Sequence, residues 1–281
     1  MSQSAAARDA QAETTPPAIR LESAVHHVVD VLWVRHWTDQ YFSFAVSRPE
    51  TFRFRSGEFV MIGLPGEGGK PILRAYSVAS PCFAEELEFF SIKVADGPLT
   101  SRLQHIRPGD QLFLGKKPTG TLVLDALTPG ERLWLIGTGT GLAPWLAVAR
   151  DPDAYERFGR VIVTHTVREV KDLAYRDFFT RELAQDPLVG ELAAERFSYY
   201  PTVTREPFET PGRITDLIES GRVFRDLGVG QTQFDPAKDR VMLCGSMAMI
   251  KSVAQILERH GLTEGSNAEP GDYVLERAFV G

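Results

Sequence analysis

Residues 74 to 77 read Arg-Ala-Tyr-Ser at the end of an apolar run, ahead of a Gly-Pro-Leu-Thr turn at 97 to 100. Much later the chain reads Gly-Thr-Gly-Thr-Gly-Leu-Ala-Pro at 137 to 144. The first group offers a guanidinium for a phosphate, a ring to lie on a flat heterocycle and a hydroxyl to reach its edge. The second follows the apolar stretch Leu133 to Ile136 and opens a helix, the setting in which backbone amides cradle a diphosphate. Two phosphorylated cofactors in one chain is the chemistry these residues imply. Leu142 stands where the third glycine of a G-x-G-x-x-G turn would fall, and no Gly-Lys-Ser/Thr follows, so this is not a nucleotide triphosphatase loop.

Each signal has a plainer reading beside it. Arg74 and Tyr76 lie two apart on a predicted strand and share a face, with Ser77 on the other side unless the strand bends; alone, they also suit a surface ion pair beside a core tyrosine. Gly97 to Thr100 opens a predicted helix whose free amides suit a pyrophosphate, or is an ordinary capped turn. The strand Val161 to Thr166 runs into Val167-Arg168, with no carboxylate for a ribose 2′-hydroxyl and an arginine nearby, which favours a 2′-phosphate. Thr204-Arg205 and Gly212-Arg213 add a hydroxyl and two more guanidinium groups. Two such arginines at about 1.5 to 3 kcal/mol each would favour NADP over NAD by about two to four orders of magnitude. Singly, each of the three arginines also reads as an exposed surface charge. Cys244 ends the apolar strand Arg240 to Leu243 and is followed by Gly245, a place for a ligand to approach the carboxyl end of a parallel sheet. With no adjacent histidine it is not read as a nucleophile.

The elements that must hold these residues fall into two rhythms. From Leu21 to about Leu124, short β-rich segments (28–34, 41–46, 59–64, 73–78, 87–94 and 111–114) alternate with turn residues, as in an antiparallel barrel or sandwich. Pro98 to Gln104 is the helical candidate within it. After Thr128-Pro129-Gly130, buried strands at 132–136, 161–166, 197–203 and 240–243 alternate with helices at 142–149, 173–183, 214–220 and 247–259, which predicts parallel strands with crossover helices. The boundary falls near 126 to 130.

The 281 residues, 43% hydrophobic and 24% charged, are enough for two ordinary cores. The 37 acidic against 31 basic residues give a formal charge of -6, which argues against nucleic-acid binding through a basic field. Two separated cysteines, Cys82 and Cys244, support neither an iron–sulfur cluster nor a disulfide scaffold and fit a reducing, cytoplasmic compartment. The histidines show no metal-ligand spacing, so no metal is expected. Residues 1 to 20 do not read as a secretory signal and are expected to form a loose tail; no apolar run is long enough to span a bilayer.

Arg74-Ala75-Tyr76-Ser77, Phe90-Ser91-Ile92-Lys93-Val94, Gly97-Pro98-Leu99-Thr100-Ser101, the glycine turn, Thr204-Arg205, Gly212-Arg213-Ile214-Thr215 and Cys244-Gly245-Ser246-Met247 together resemble the ferredoxin/flavodoxin–NADP reductase family, in its bacterial branch, from about residue 20 onward. The resemblance implies a two-domain β and α/β fold: an N-terminal antiparallel Greek-key β-barrel for FAD (21–127) and a C-terminal Rossmann-like parallel α/β domain for NADP (128–281). It implies that Arg74 binds the FAD phosphates, Tyr76 stacks on the isoalloxazine, Ser77 faces its reactive edge, Ser91, Ile92 and Lys93 pass along the ring, and Gly97, Pro98, Leu99 and Thr100 hold the pyrophosphate, with Ala75 and Thr140 also on the FAD side. For NADP it implies Gly139, Gly141, Val167, Arg168, Thr204, Arg205, Arg213, Gly245, Ser246 and Met247, with Arg205 and Arg213 on the 2′-phosphate.

The chain end, Tyr273 to Gly281, reads as a last strand, apolar in alternation. By the same resemblance it folds back over FAD, with Ala278 near the ring and Phe279, Val280 and Gly281 against the cofactor; plant-type relatives end in a tyrosine, and this chain does not. Hydride would pass between NADPH and FAD N5 beside Ser77, Cys244 and Glu276, with no side chain needed as acid or base. Single electrons would then pass to or from ferredoxin or flavodoxin, docked by a monomer. Lys93, Arg102, Arg107, Lys116 and Lys117 form a docking patch for an acidic partner or a solvated mixed-charge surface. A free flavin or an oxygenase as acceptor, and a flavin-binding electron-transfer subunit that never meets NADPH, are the competing readings.

Overall fold

A computed structural model describes residues 18–276. Its first half is a sheet of six antiparallel strands, β1 (His27–His36), β2 (Tyr41–Ser47), β3 (Phe59–Pro65), β4 (Pro71–Ser77), β5 (Glu86–Ile92) and β6 (Gln111–Leu114), with the short helix α1 (Thr100–Leu103) before β6. The order is β4-β3-β6-β1-β2-β5. The barrel closes where the chain beyond β4 meets β5, through the Val78–Phe89 bridge and the Ala79 amide on Glu88 O at 2.8 Å. Inward residues of alternate pleats, Val29, Phe42, Phe44, Val60, Ile62, Leu87 and Phe89, make one core. Ile19 is tied to it, its amide donating to Asp110 Oδ1 at 2.8 Å, so residues 18–20 lie along the barrel; the rest of the expected tail lies outside the described residues.

The second half is a parallel sheet in the order β11-β10-β7-β8-β9, formed by β7 (Arg132–Thr138), β8 (Arg160–Val167), β9 (Phe197–Val203), β10 (Asp239–Cys244) and β11 (Tyr273–Leu275). Counted within this half the order reads 5-4-1-2-3, that of a dinucleotide-binding fold, with its reversal between β7 and β10. Helices cover both faces, as fully apolar parallel strands require. α2 (Ala143–Val148), α3 (Pro152–Arg157) and α4 (Gly190–Arg196) pack on Leu133, Leu135, Val161 and Val163; α5 (Ile214–Glu219), α6 (Arg222–Asp226) and α7 (Met247–Arg259) pack on Trp134, Ile136, Ile162, Val241 and Leu243.

The helix expected over 173–183 is not one α-helix. Tyr175 takes a positive φ of 59°, which breaks the helical path, and only a π turn at Phe178–Glu182 and a 3-10 turn at Leu183–Gln185 follow. α3, α4 and α6 are helices the periodicity did not announce.

The first core cluster of the parallel half runs into the barrel. Tyr41 and Phe90, on the outer side of β2 and β5, and Ala79, just beyond β4, are buried with Leu142, Trp145 and Leu146 of the second half. Arg240 pins the connection, donating to Thr128 O at 3.1 Å and to Pro129 O.

Candidate functional site

The second phosphate cradle sits at the strand-order reversal. Gly137 of β7 pairs in register with Cys244 of β10, so the turns after the two strands lie side by side. A Cβ on Gly141 would stand 2.4 Å from Cys244 O and 2.7 Å from Gly245 Cα. Gly245, at φ +138°, has no more room: a Cβ would meet Thr138 Oγ1 at 2.2 Å. Only bare backbone fits at either place, which is what close approach to a diphosphate needs. The Thr138 hydroxyl joins the turns by accepting the Ser246 amide at 2.9 Å, and Ser246 caps α7, accepting from Met249 N at 3.4 Å.

The arginines expected on the 2′-phosphate converge. The Arg205 amide donates to Arg168 O at 2.9 Å and the Thr204 amide to Val167 O at 3.1 Å, while Gly212 N on Val203 O at 2.9 Å brings Arg213 to the same sheet end, at the start of α5. All three side chains are exposed, and among the described residues none forms an ion pair. Exposed guanidinium groups gathered at one sheet end outside any ion pair suit an anionic ligand.

On the barrel, Tyr76 and Ser91 are brought together, Tyr76 Oη lying 3.0 Å from Ser91 Oγ. Tyr76 stands among the barrel's aromatic rings, edge-on to Phe44 and Phe89, each with centroids 6.4 Å away, and burial raises its pKa. Arg74, two residues before it, is exposed, free of ion pairs among the described residues, and donates only to Leu73 O at 2.8 Å. Ser77 is buried opposite Phe59 in the β3–β4 ladder. The 97–100 turn is self-contained, Thr100 Oγ1 donating to Val94 O at 3.2 Å and Leu99 anchoring it in the core. Lys93, Arg102 and Lys116 reach main-chain carbonyls of Thr38, Pro65 and Ala24, so part of the candidate docking patch is already engaged.

The halves meet through the glycine turn. Its 3-10 segment Gly139–Leu142 packs on β5, and the Tyr41 hydroxyl lies 3.4 Å from where a Gly139 Cβ would be. Beneath it, Cys244 is buried, its thiol pushed up by burial and then by the Glu276 carboxylate, so it stays protonated. Glu276 is held by its amide on Leu243 O at 3.2 Å, and its side chain approaches Gly120 of the barrel half. Ala278, Phe279, Val280 and Gly281 lie outside the described residues. Thr138 and Tyr41 were missed from sequence; the first was legible as the hydroxyl inside the glycine motif, the second only as one strand aromatic among many. Among the described residues no group of three or more His, Cys, Asp or Glu side chains is placed to hold a metal ion, and no helix is long and apolar enough to cross a membrane.

Residues 135–255 match the family model of the oxidoreductase NAD-binding domain. A flavodoxin/ferredoxin–NADP reductase of Rhodobacter capsulatus is 56% identical over 271 residues, 96% of this chain and 98% of that protein. The chain belongs to the ferredoxin/flavodoxin–NADP reductase family. Ferredoxin–NADP reductase A of Sorangium cellulosum is 55% identical over 89% of each chain. A crystal structure of a ferredoxin NADP+ reductase from Neisseria gonorrhoeae with bound FAD and NADP superposes with a TM-score of 0.81 at 31% identity, covering 92% of this chain and all of that one. In this reductase family member the glycine turn after β7 packs on β5 of the barrel.

Proposed function

We propose that the chain is an FAD-dependent ferredoxin or flavodoxin–NADP+ oxidoreductase, with FAD on residues 21–127 and NADP(H) on residues 128–281. The observation that carries this reading is the packing of the glycine turn on β5, which sets the nucleotide cradle against the strand whose Ser91 hydroxyl contacts Tyr76. When bound, the two cofactors supply the redox chemistry, a two-electron exchange between nicotinamide and flavin and single electrons to a protein carrier.

The chain's own residues bind and orient. Arg74 and the 97–100 turn hold the FAD phosphates, with the exposed, unpaired guanidinium of Arg74 as the supporting fact. Tyr76 lies on the isoalloxazine with its hydroxyl steadied by Ser91; Ala75, Ser77, Ile92, Lys93 and Thr140 border the ring. Gly139, Gly141, Gly245, Ser246 and Met247 take the NADP diphosphate and nicotinamide side, while Val167, Arg168, Thr204, Arg205 and Arg213 enclose the 2′-phosphate. Cys244 and Glu276 shape the floor of the cleft, Cys244 as a thiol that burial keeps protonated. We extend the site to Ala278, Phe279, Val280 and Gly281 as a cover over FAD. The working form in this reading is a cytoplasmic monomer; the free thiols of Cys82 and Cys244 are compatible with a reducing compartment.

The test compares reoxidation of the NADPH-reduced protein by ferredoxin, flavodoxin, free flavin and an oxygenase component at equal enzyme. Faster reoxidation by a ferredoxin or flavodoxin is expected; preference for free flavin or the oxygenase component would reassign the acceptor.

A further inference from the structure

The segment leaving β8 starts at Arg168, in the arginine cluster, and ends in the barrel at Tyr175. This is the one described non-glycine residue with a positive φ, a region that crowds a Cβ and persists only where the surroundings over-determine it. They do so here. The Tyr175 ring is buried 4.5 Å from Trp37 and 5.4 Å, edge-on, from Phe90. Its hydroxyl donates to Glu88 Oε1 at 2.7 Å and also contacts Ser43 Oγ. The other oxygen of Glu88 takes Arg150 at 3.4 Å, and Arg150 donates further to Ala79 O at 2.6 Å. Arg150 closes the α2 segment whose other end is the glycine turn.

Register gives this latch its meaning. Ser43 pairs with Phe90 and Ala45 with Glu88, so Tyr41, Ser43, Glu88 and Phe90 share the outer face of the β2–β5 ladder. Phe42, Phe89 and Ser91 alternate onto the inner face, where Ser91 and Phe89 contact Tyr76. One two-stranded plate thus contacts the flavin-side tyrosine of β4 on one side and holds the anchor of the nucleotide half on the other. The burial that raises the Tyr175 pKa, with Glu88 adding to it, keeps the hydroxyl a donor.

We propose that Tyr175 is a positioning residue: inserted from the nucleotide-binding half into the β2–β5 ladder, it fixes the glycine turn relative to the strand that steadies Tyr76, and so sets how nicotinamide and flavin approach. This inference rests on the reading of the cofactors given above. It acts through Ser43, Glu88 and the shared ladder. A cleft of ≈ 550 Å³, lined in part by Trp33, Trp37, Tyr175 and Phe178, borders the latch and leaves room for water to solvate Glu88 when the hydroxyl is removed, so Tyr175→Phe should fold.

The test uses the holoprotein of Tyr175→Phe and Tyr175→Ala, with rapid-mixing reduction by NADPH, FAD content, and amide hydrogen exchange at residues 139–146 and 88–91. For Tyr175→Ala the limiting reduction rate should fall about 10- to 100-fold, as expected for misplaced reactants, while NADPH affinity changes less than about threefold. Exchange in both segments should quicken by about tenfold or more. Tyr175→Phe, which keeps the ring contacts, should show about a threefold effect in the same direction. The proposal is overturned if both variants reduce within about twofold of the parent, or if reduction slows with exchange at 139–146 unchanged. Should Tyr175→Ala not fold, Tyr175→Phe carries the same outcomes. A parent protein that binds no FAD would defeat the functional reading alone, since the exchange comparison still decides the latch.

Discussion

The two binding edges are built from different material. In the parallel half the cradle is backbone: Gly141 and Gly245 pack so closely that no side chain fits, and the turns are tied by a single hydroxyl, Thr138. In the barrel half the edge is side chain: Arg74 projecting, Tyr76 and Ser91 inward, on strands that any alternating apolar sequence could form. A backbone site tolerates no added atom, whereas a side-chain site loses one contact at a time. The two edges should therefore fail differently.

The largest expected effect is on the arginine cluster, where the parallel half does depend on side chains. Arg205→Ala with Arg213→Ala should cut the NADPH over NADH preference by about two to four orders of magnitude, read from kcat/KM with each nucleotide. An unchanged preference would remove the 2′-phosphate assignment.

Gly141→Ala sharpens the backbone side of the contrast. Forcing a Cβ against Cys244 O should cost about 3 kcal/mol of stability, seen as a lower denaturant midpoint, together with loss of nucleotide binding. A variant of parental stability would show that the turn has slack.

Acid should attack the same half. Burial pushes the His165 imidazole, in register with Gly137 beneath the turn, down to about 4 from 6.5. Between those values the unfolded chain binds the proton and the folded chain does not. Stability from this residue is therefore intact above pH 6.5 and lost as pH falls toward 4, by about 3 kcal/mol in all. Denaturant unfolding at pH 7 and 4.5 should show the loss, and His165→Gln should lack most of it; an equal loss in the variant would place the acid sensitivity elsewhere.

The smallest effect is on the barrel. Tyr76→Phe removes the hydroxyl beside Ser91 and leaves the ring, so FAD affinity should weaken by only about 0.5 to 1.5 kcal/mol, measured by flavin release. A loss as large as that of the glycine variant would erase the distinction between the edges.

The same distinction governs what could be read from the chain. Six barrel strands and the parallel strands at 132–138, 160–167, 197–203 and 239–244 follow their alternating or continuous apolar patterns, because burial of a strand face is a local signal. The glycine turn was legible because its residue type is the geometry. α3 was not, although Asp151 caps it and Pro152 opens it, since six residues give too few turns for a helical period. α4 and α6 share that brevity. Tyr175 left no trace in the pattern: its positive φ is imposed by Trp37, Phe90, Ser43 and Glu88, all distant in sequence. Tyr41 against Gly139 is likewise a contact between halves, invisible until both are folded.

Anaerobic titration of the purified protein with NADPH tests the meeting of the two edges most directly. A yellow protein whose visible flavin absorbance is bleached by NADPH at near one equivalent, and far more slowly by NADH, is the predicted result. A preparation that remains colourless after incubation with FAD, or one that keeps its colour in excess NADPH, would contradict it.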